Sequence, residues 1–448
     1  MTARYDAMII GAGTAARAAA VRIRAAGRTV GVADHRPLGG TCALRGCDPK
    51  KMLIGGTSAV DHAMRMRGQG VTGDLRIDWP RLIDFKSSFT DPVPAKQERM
   101  YQDKGIDVFH GQARFSGPGR LDIQGVGVHA RHIVIATGAE AVRLGIPGEE
   151  LLVTSEQFLT LPALPPSVVL VGGGYIAAEF STILALAGSK VTVLQRGPQM
   201  LKGFEPELVG WLMERFEKLG IDVRANTTVT RVDRVGDDLR ISATFNDEHL
   251  TFDAALGVHA AGRAPEFDSL GLGAAGVELN DARLKLNDFL QSTSNPAVYA
   301  AGDAARKGPP LTPVSSHDGK VVATNILNGN QAKPDYRGVP SVAFTQPPLA
   351  KVGLLEEEAR LLGMRFRVKS ERTDSWFTAR QAAEPTYGYK TLVEEGTERL
   401  LGAHLVGPHA DEVINVFGLA IRHGLTVSDL KTTMFAYPTG ASDIGYML

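Results

Sequence analysis

Two cysteines in 448 residues are too few to staple a secreted disulfide scaffold. An excess of either charge is missing as well, since 49 Lys and Arg residues balance 49 Asp and Glu residues. That balance gives no support to a nucleic-acid binder or a polybasic membrane anchor. A long uninterrupted apolar run is also absent. The most apolar stretch, residues 168–187, reads VVLVGGGYIAAEFSTILALA and carries Glu179 and three consecutive glycines. It reads as a buried strand passing into a packed helix, not as a transmembrane span. The amino terminus enters a strand-like run without a signal-peptide pattern, so a reducing, cytoplasmic compartment is the expectation. What the chain does have is 44% hydrophobic residues and 50 glycines spread along its length, enough for a large core divided over about three domains at roughly 150 residues each.

Two glycine turns carry the clearest chemistry. The first, Gly11-x-Gly13-x-x-Ala16, follows the strand AMII and precedes a small-residue helix, with Asp34 ending the next strand, TVGVAD. Gly11 allows the tight turn, Gly13 lets the backbone approach a pyrophosphate, and Ala16 permits close strand-to-helix packing. The helix amino terminus holds the phosphate, and Asp34 accepts hydrogen bonds from an adenosine ribose. The second turn, Gly172-x-Gly174-x-x-Ala177, follows SVVLV, and its next strand ends in Gln195 and Arg196 instead of an acid. A neutral residue followed by Arg196, with Lys202 nearby, suits a 2'-phosphate and favours NADPH over NADH. An ordinary solvated surface would carry the same two cations.

Both cysteines of the chain, Cys42 and Cys47, fall in GGTCALRGCDPKK, separated by four residues. No second ligand pair accompanies them, which argues against zinc. Two unrelated buried thiols are the plain reading. The functional one is a redox-active disulfide beside a nucleotide, one thiolate attacking an external oxidant and the other exchanging electrons with the cofactor. Lys50 follows closely enough along a helix to favour a nearby anion.

The carboxyl third begins with PDYRGVP, alternates through VPSVAFT, AKVGLL, GYKTLVEE and LGAHLVG as antiparallel strands, and ends in the helix EVINVFGLAIRHG. It reads as an α+β domain.

Taken together, these motifs resemble the class I pyridine nucleotide-disulfide oxidoreductases, the family of glutathione reductase, dihydrolipoamide dehydrogenase and mercuric reductase. GTCALRGC is similar to the redox-disulfide signature. Ala136 to Gly138 (ATG), GRAPEF at 262–267, VYAAGDAA at 298–305 and GAHLVGPHADEVINVFGLAI follow in family order. The resemblance implies an α/β fold with two Rossmann-like nucleotide-binding domains, for FAD and NADPH, and a carboxyl-terminal α+β dimerisation domain. Its boundaries would be 1–145 (FAD), 146–264 (NADPH), 265–334 (return to the FAD domain) and 335–448 (interface).

Carried over residue by residue, the resemblance makes Gly11, Gly13, Ala16 and Asp34 holders of the ADP half of FAD, and Gly302 and Asp303 the second flavin motif. Lys51, Thr137, Gly138 and Arg263 are further cofactor contacts. Cys42 becomes the interchange thiol and Cys47 the flavin-facing thiol, with Lys50 near the flavin and paired with Glu179. Gly172 and Gly174 form the NADPH turn, Tyr175 covers the flavin until nicotinamide displaces it, and Arg196 and Lys202 meet the 2'-phosphate. The family is homodimeric with active sites shared between subunits, so Tyr437 would reach the opposite Cys42.

The chain departs from the family where disulfide-reducing members have His-Pro-Thr and a Glu five residues after the His. Here the segment is MFAYPTGASDIGYML, with Tyr437 at the His position, Ser442 at the Glu position and Asp443 one residue on. A tyrosine of ordinary pKa near 10 is a poor proton shuttle at neutral pH. Mercuric reductases carry a tyrosine in this region but add a carboxyl-terminal cysteine pair, which is absent here. His317, within LTPVSSHDGK, stands where small apolar residues often follow the motif; it either tunes the flavin or packs as a structural histidine. His404, His409 and His423 have no metal-site spacing. The expected activity is NADPH-dependent reduction of a disulfide, with glutathione disulfide as one candidate. The alternative is reduction of a quinone, a metal ion or another electrophile. Membrane, nucleic-acid and resident-metal partners are not expected.

Overall fold

The computed structural model describes residues 3–265 and 267–448; Glu266, within GRAPEF, lies outside the described residues. The chain divides into two compact units. The first comprises the chain up to Lys50, Phe85–Val142 and Arg263–Tyr336. The second comprises Lys51–Asp84, Arg143–Gly262 and Arg337–Leu448. Further crossings between the units fall at 142, 262 and 336. The stretch 51–84 groups with the second unit. The long helix Cys47–Arg65 carries the chain from one unit into the other.

In the first unit, strands Asp107–His110, Val30–Asp34, Ala3–Ile10 and Val126–Ile135 lie side by side in that order. All three of these pairings are parallel, and Val298–Ala300 adds a further parallel pairing to Val126–Ile135. Their central residues, among them Ile9, Val32, Ile133 and Ala300, are buried. Continuous apolar runs suit strands covered on both faces. Helices Thr14–Ala25 and Thr312–Asn328 approach so closely that a Cβ on Gly319 would lie 2.3 Å from the Ala15 carbonyl oxygen. The small residues of AARAAAV serve this contact.

The second unit holds a parallel sheet ordered Ile221–Arg224, Lys190–Leu194, Ser167–Val171, Leu256–His259. Beside it in sequence comes an antiparallel three-stranded meander, Thr228–Val235, Asp238–Phe245, Glu248–Ala254. The carboxyl-terminal part is a five-stranded antiparallel sheet ordered Ser341–Ala343, Leu349–Gly353, Leu400–Val406, Gly388–Glu394, Phe366–Arg372. The helix Ala410–His423 buries Val413, Ile414 and Phe417 in the same core as that sheet. Four of these five strands were read from alternation; Phe366–Arg372 was not, because all but its first residue are exposed. Among the described residues no helix is long and apolar enough to cross a membrane.

Candidate redox and nucleotide site

Within the first unit the glycine turn and the cysteines are built against each other. Gly11 has φ +108°, and a Cβ there would sit 2.3 Å from the Ala136 carbonyl oxygen. Gly40, at φ +70°, begins the short helix Gly40–Arg45, and its Cβ would meet Gly13 Cα at 2.4 Å. Only glycine tolerates both the left-handed backbone and this approach. The helix bearing Cys42 is therefore seated on the nucleotide turn, and Gly46 ends it before Cys47 opens the next helix.

The residue that joins the two sulfurs is Thr312. Its hydroxyl lies 3.1 Å from Cys42 Sγ and 3.3 Å from Cys47 Sγ. The Cys42 thiol also donates toward Cys47, and this contact, the Thr312 hydroxyl and the Lys50 charge pull the Cys47 thiol down to about 6 against the opposing effect of burial. Cys42 moves the other way, raised by the same hydrogen bond and by burial. One sulfur is thus a stable thiolate at neutral pH and the other its proton-bearing partner. The LTPV motif was noticed in the sequence, but Thr312 was not singled out, since only the tertiary fold brings it to the cysteines.

Asp34 accepts the backbone N–H of Ala12 at 2.8 Å and that of Arg36 at 2.9 Å, so its carboxylate is fixed at the turn. Arg263 donates to Thr41 Oγ1 at 3.3 Å and to the Ala139 carbonyl, tying the residue before Cys42 to the chain just beyond Gly138. Burial raises the Asp303 carboxyl, opposed by Arg263 and by a hydrogen bond from Ser315. His317 Nε2 accepts the Asp335 N–H at 3.0 Å. The Lys51 ammonium has its contacts within the second unit. One helix step from Lys50 turns it to another face, where its Nζ lies 3.8 Å above the Phe344 ring and 3.4 Å from Asp411.

The residues here fit FAD. The helix Thr14–Ala25 has no side-chain N-cap, leaving its first-turn amides for a pyrophosphate, and Thr137 Oγ1 is buried without a hydrogen-bond partner.

In the second unit Gly172 repeats the geometry, with φ +122° and a Cβ position 2.3 Å from the Ala260 carbonyl oxygen. The helix Tyr175–Ala187 likewise lacks a side-chain cap. Tyr175 packs edge-on against Phe204 at 5.4 Å, and burial raises its phenol to about 12. Glu179 is buried and accepts the Phe344 N–H at 2.9 Å. Gln195 folds its amide back to the Gln199 carbonyl at 3.2 Å, while Arg196 and Lys202 are exposed in the loop that follows.

At the carboxyl end Tyr437 is 80% exposed. Both nearby candidates have partners within the chain. Asp443 is buried and accepts the Tyr387 hydroxyl at 2.8 Å, and Ser442 Oγ donates to the Thr439 carbonyl at 2.6 Å. Among the described residues no group of three or more His, Cys, Asp or Glu forms a metal site. His404 is buried and bonded to the Leu354 carbonyl at 3.0 Å, and His409 precedes the helix Ala410–His423 in which His423 ends.

Comparison with known proteins gives matches over almost the whole chain. The family model described as pyridine nucleotide-disulphide oxidoreductase matches residues 5–319, and that of its dimerisation domain matches residues 339–447. A glutathione reductase of Burkholderia cepacia is 33% identical, covering 98% of this chain and 97% of the relative. A mercuric reductase of Lysinibacillus sphaericus is 32% identical, covering 98% and 81%. A dihydrolipoyl dehydrogenase of Halobacterium salinarum is 30% identical, covering 97% and 93%. Among solved structures, the Cu(II) complex of the HOCl-induced flavoprotein disulfide reductase RclA from Escherichia coli superposes with a TM-score of 0.89 at 28% identity, covering 99% of this chain and 98% of that one.

Proposed function

Because the chain belongs to the pyridine nucleotide-disulphide oxidoreductases and carries their dimerisation domain, we propose that it is an NADPH-dependent flavoenzyme that reduces a disulfide through Cys42 and Cys47. The observation that carries this reading is the Thr312 hydroxyl within 3.3 Å of both sulfurs, together with a Cys47 thiol lowered to about 6. FAD, when bound, supplies two-electron transfer between a reduced nicotinamide and the cysteine pair. Arg196 and Lys202 would bind the 2'-phosphate and Tyr175 would yield its place to the nicotinamide. By the family resemblance, Lys50 would lie beside the flavin.

In the oxidative half-reaction the Cys42 proton passes to solvent or base and the Cys42 thiolate attacks one sulfur of the substrate. The substrate S–S bond breaks, a mixed disulfide forms and the first thiolate leaves. Cys47 then attacks Cys42, forming the internal disulfide and expelling the second thiolate; the dithiol is oxidised by two electrons and the substrate reduced by two. Tyr437, supplied across the dimer, donates a hydrogen bond to the leaving sulfur but lacks an orienting acid, since Asp443 is bonded to Tyr387. Substrates with acidic thiols are therefore favoured, because they leave without protonation. NADPH oxidation by an aryl disulfide should outpace that by glutathione disulfide by about tenfold or more, and should vanish in Cys42→Ser. Equal rates in the mutant would overturn the proposal.

A second reading, transfer to a metal ion, is favoured by the RclA complex being one with Cu(II) and by the mercuric reductase relatives. Metal-dependent NADPH oxidation exceeding that with any disulfide would select it.

A further inference from the structure

A buried carboxylate that the reaction above does not use sits behind the second flavin motif. Asp318 is fully buried on the helix Thr312–Asn328. Its Oδ1 accepts the Tyr336 hydroxyl at 2.9 Å, and its Oδ2 accepts the Gly302 N–H at 3.2 Å. Gly302 stands at φ +67° and precedes Asp303. One turn earlier on the helix, Ser315 hydrogen-bonds Asp303 itself. Tyr336 is in turn held in place, because the Asp335 N–H beside it donates to His317 Nε2 at 3.0 Å and the two rings meet edge-on at 6.2 Å. Two residues of one helical stretch, Asp318 and Ser315, thus fix the backbone and the side chain of a single turn, while His317 of the same stretch braces the Tyr336 segment behind it. A carboxylate buried this deeply is costly unless its bonds are well made.

We propose that Asp318, held by Tyr336, is a positioning residue for FAD: it fixes the Gly302 N–H and so aims the Asp303 carboxylate at the cofactor. The inference rests on the reading of Gly302 and Asp303 as flavin holders, and its test separates the two.

FAD is loaded on the full chain, and its dissociation constant is read from flavin fluorescence released on serial dilution. Asp303→Ala should weaken binding by about thirtyfold or more, and Asp318→Ala by about tenfold. Asp318→Asn should stay within about threefold of the parent. Its Oδ1 can take the Gly302 N–H while its amide donates to the Tyr336 oxygen, so geometry survives without the charge. Tyr336→Phe, which keeps the ring packing, should weaken binding by about threefold. The decisive arm is the double variant. If Asp318 acts through Asp303, adding Asp318→Ala or Tyr336→Phe to Asp303→Ala should change binding by less than about twofold. A merely structural role would multiply the losses.

Multiplied losses in either double variant, or Asp318→Ala and Tyr336→Phe both binding FAD like the parent, would overturn the inference while leaving Asp303 as a flavin holder. Unchanged binding in Asp303→Ala would overturn the assignment of Asp303 and the inference with it. Should Asp318→Ala fail to fold, the Tyr336→Phe cycle decides alone.

Discussion

The chemistry of this chain is concentrated in one hydroxyl. Thr312 contributes to the low Cys47 thiol, which at about 6 is ionised at neutral pH, whereas an ordinary cysteine near 8.5 is mostly protonated. Alkylation of the reduced protein should follow a midpoint near 6, and Thr312→Val should raise that midpoint by about one unit, the equivalent of about 1.4 kcal/mol. An unmoved midpoint would show that Cys42 and Lys50 suffice. At the carboxyl end the same scale separates a catalytic from a structural acid. Tyr387→Phe leaves the buried Asp443 without its 2.8 Å partner and should cost about 1.5–3 kcal/mol in denaturant unfolding, while the pH dependence of disulfide reduction stays as it was. A changed pH profile would mean that Asp443 orients the proton donor after all. Residues of this kind divide by what makes them visible. Cys42, Cys47 and Gly11 announce themselves through composition or spacing, whereas Thr312, Asp318 and Tyr336 become functional only when distant segments are folded together.

Among the elements, the two strand-turn-helix fingerprints were legible because each joins a buried apolar strand to a glycine turn that only one backbone geometry satisfies. The meander 228–254 carries the same alternation as the carboxyl-terminal strands, but in the sequence it lies inside the stretch assigned to a nucleotide-binding domain and was not set apart from it. The grouping of 51–84 with the second unit depends on tertiary contacts that no local pattern records. The contact between helices Thr14–Ala25 and Thr312–Asn328 gives an element-scale prediction. Gly319→Ala places a methyl group 2.3 Å from the Ala15 carbonyl, forcing the helices apart. It should lower stability by about 1–3 kcal/mol and, on the proposed reading of the turns beside both helices as flavin holders, weaken FAD retention. Unchanged thermal unfolding would show that the helices adjust without cost.

For the whole molecule, the second unit carries large exposed side chains in its dimerisation domain, including Met434 at 97%, Tyr437 at 80% and Leu419 at 56% exposure. These belong against a second copy, and Leu419→Asp on the helix Ala410–His423 should shift the protein toward monomer in sedimentation. If Tyr437 acts across the dimer as proposed, a monomeric form should still accept electrons from NADPH yet lose disulfide reduction. The claim on which the rest depends is that electrons leave through Cys42. The most direct measurement is rapid mixing of the FAD-loaded protein with NADPH and then with an aryl disulfide, for the parent and for Cys42→Ser. The account predicts that both forms are reduced by NADPH at comparable rates and that only the parent is reoxidised by the disulfide. Reoxidation of Cys42→Ser at the parent rate would contradict it.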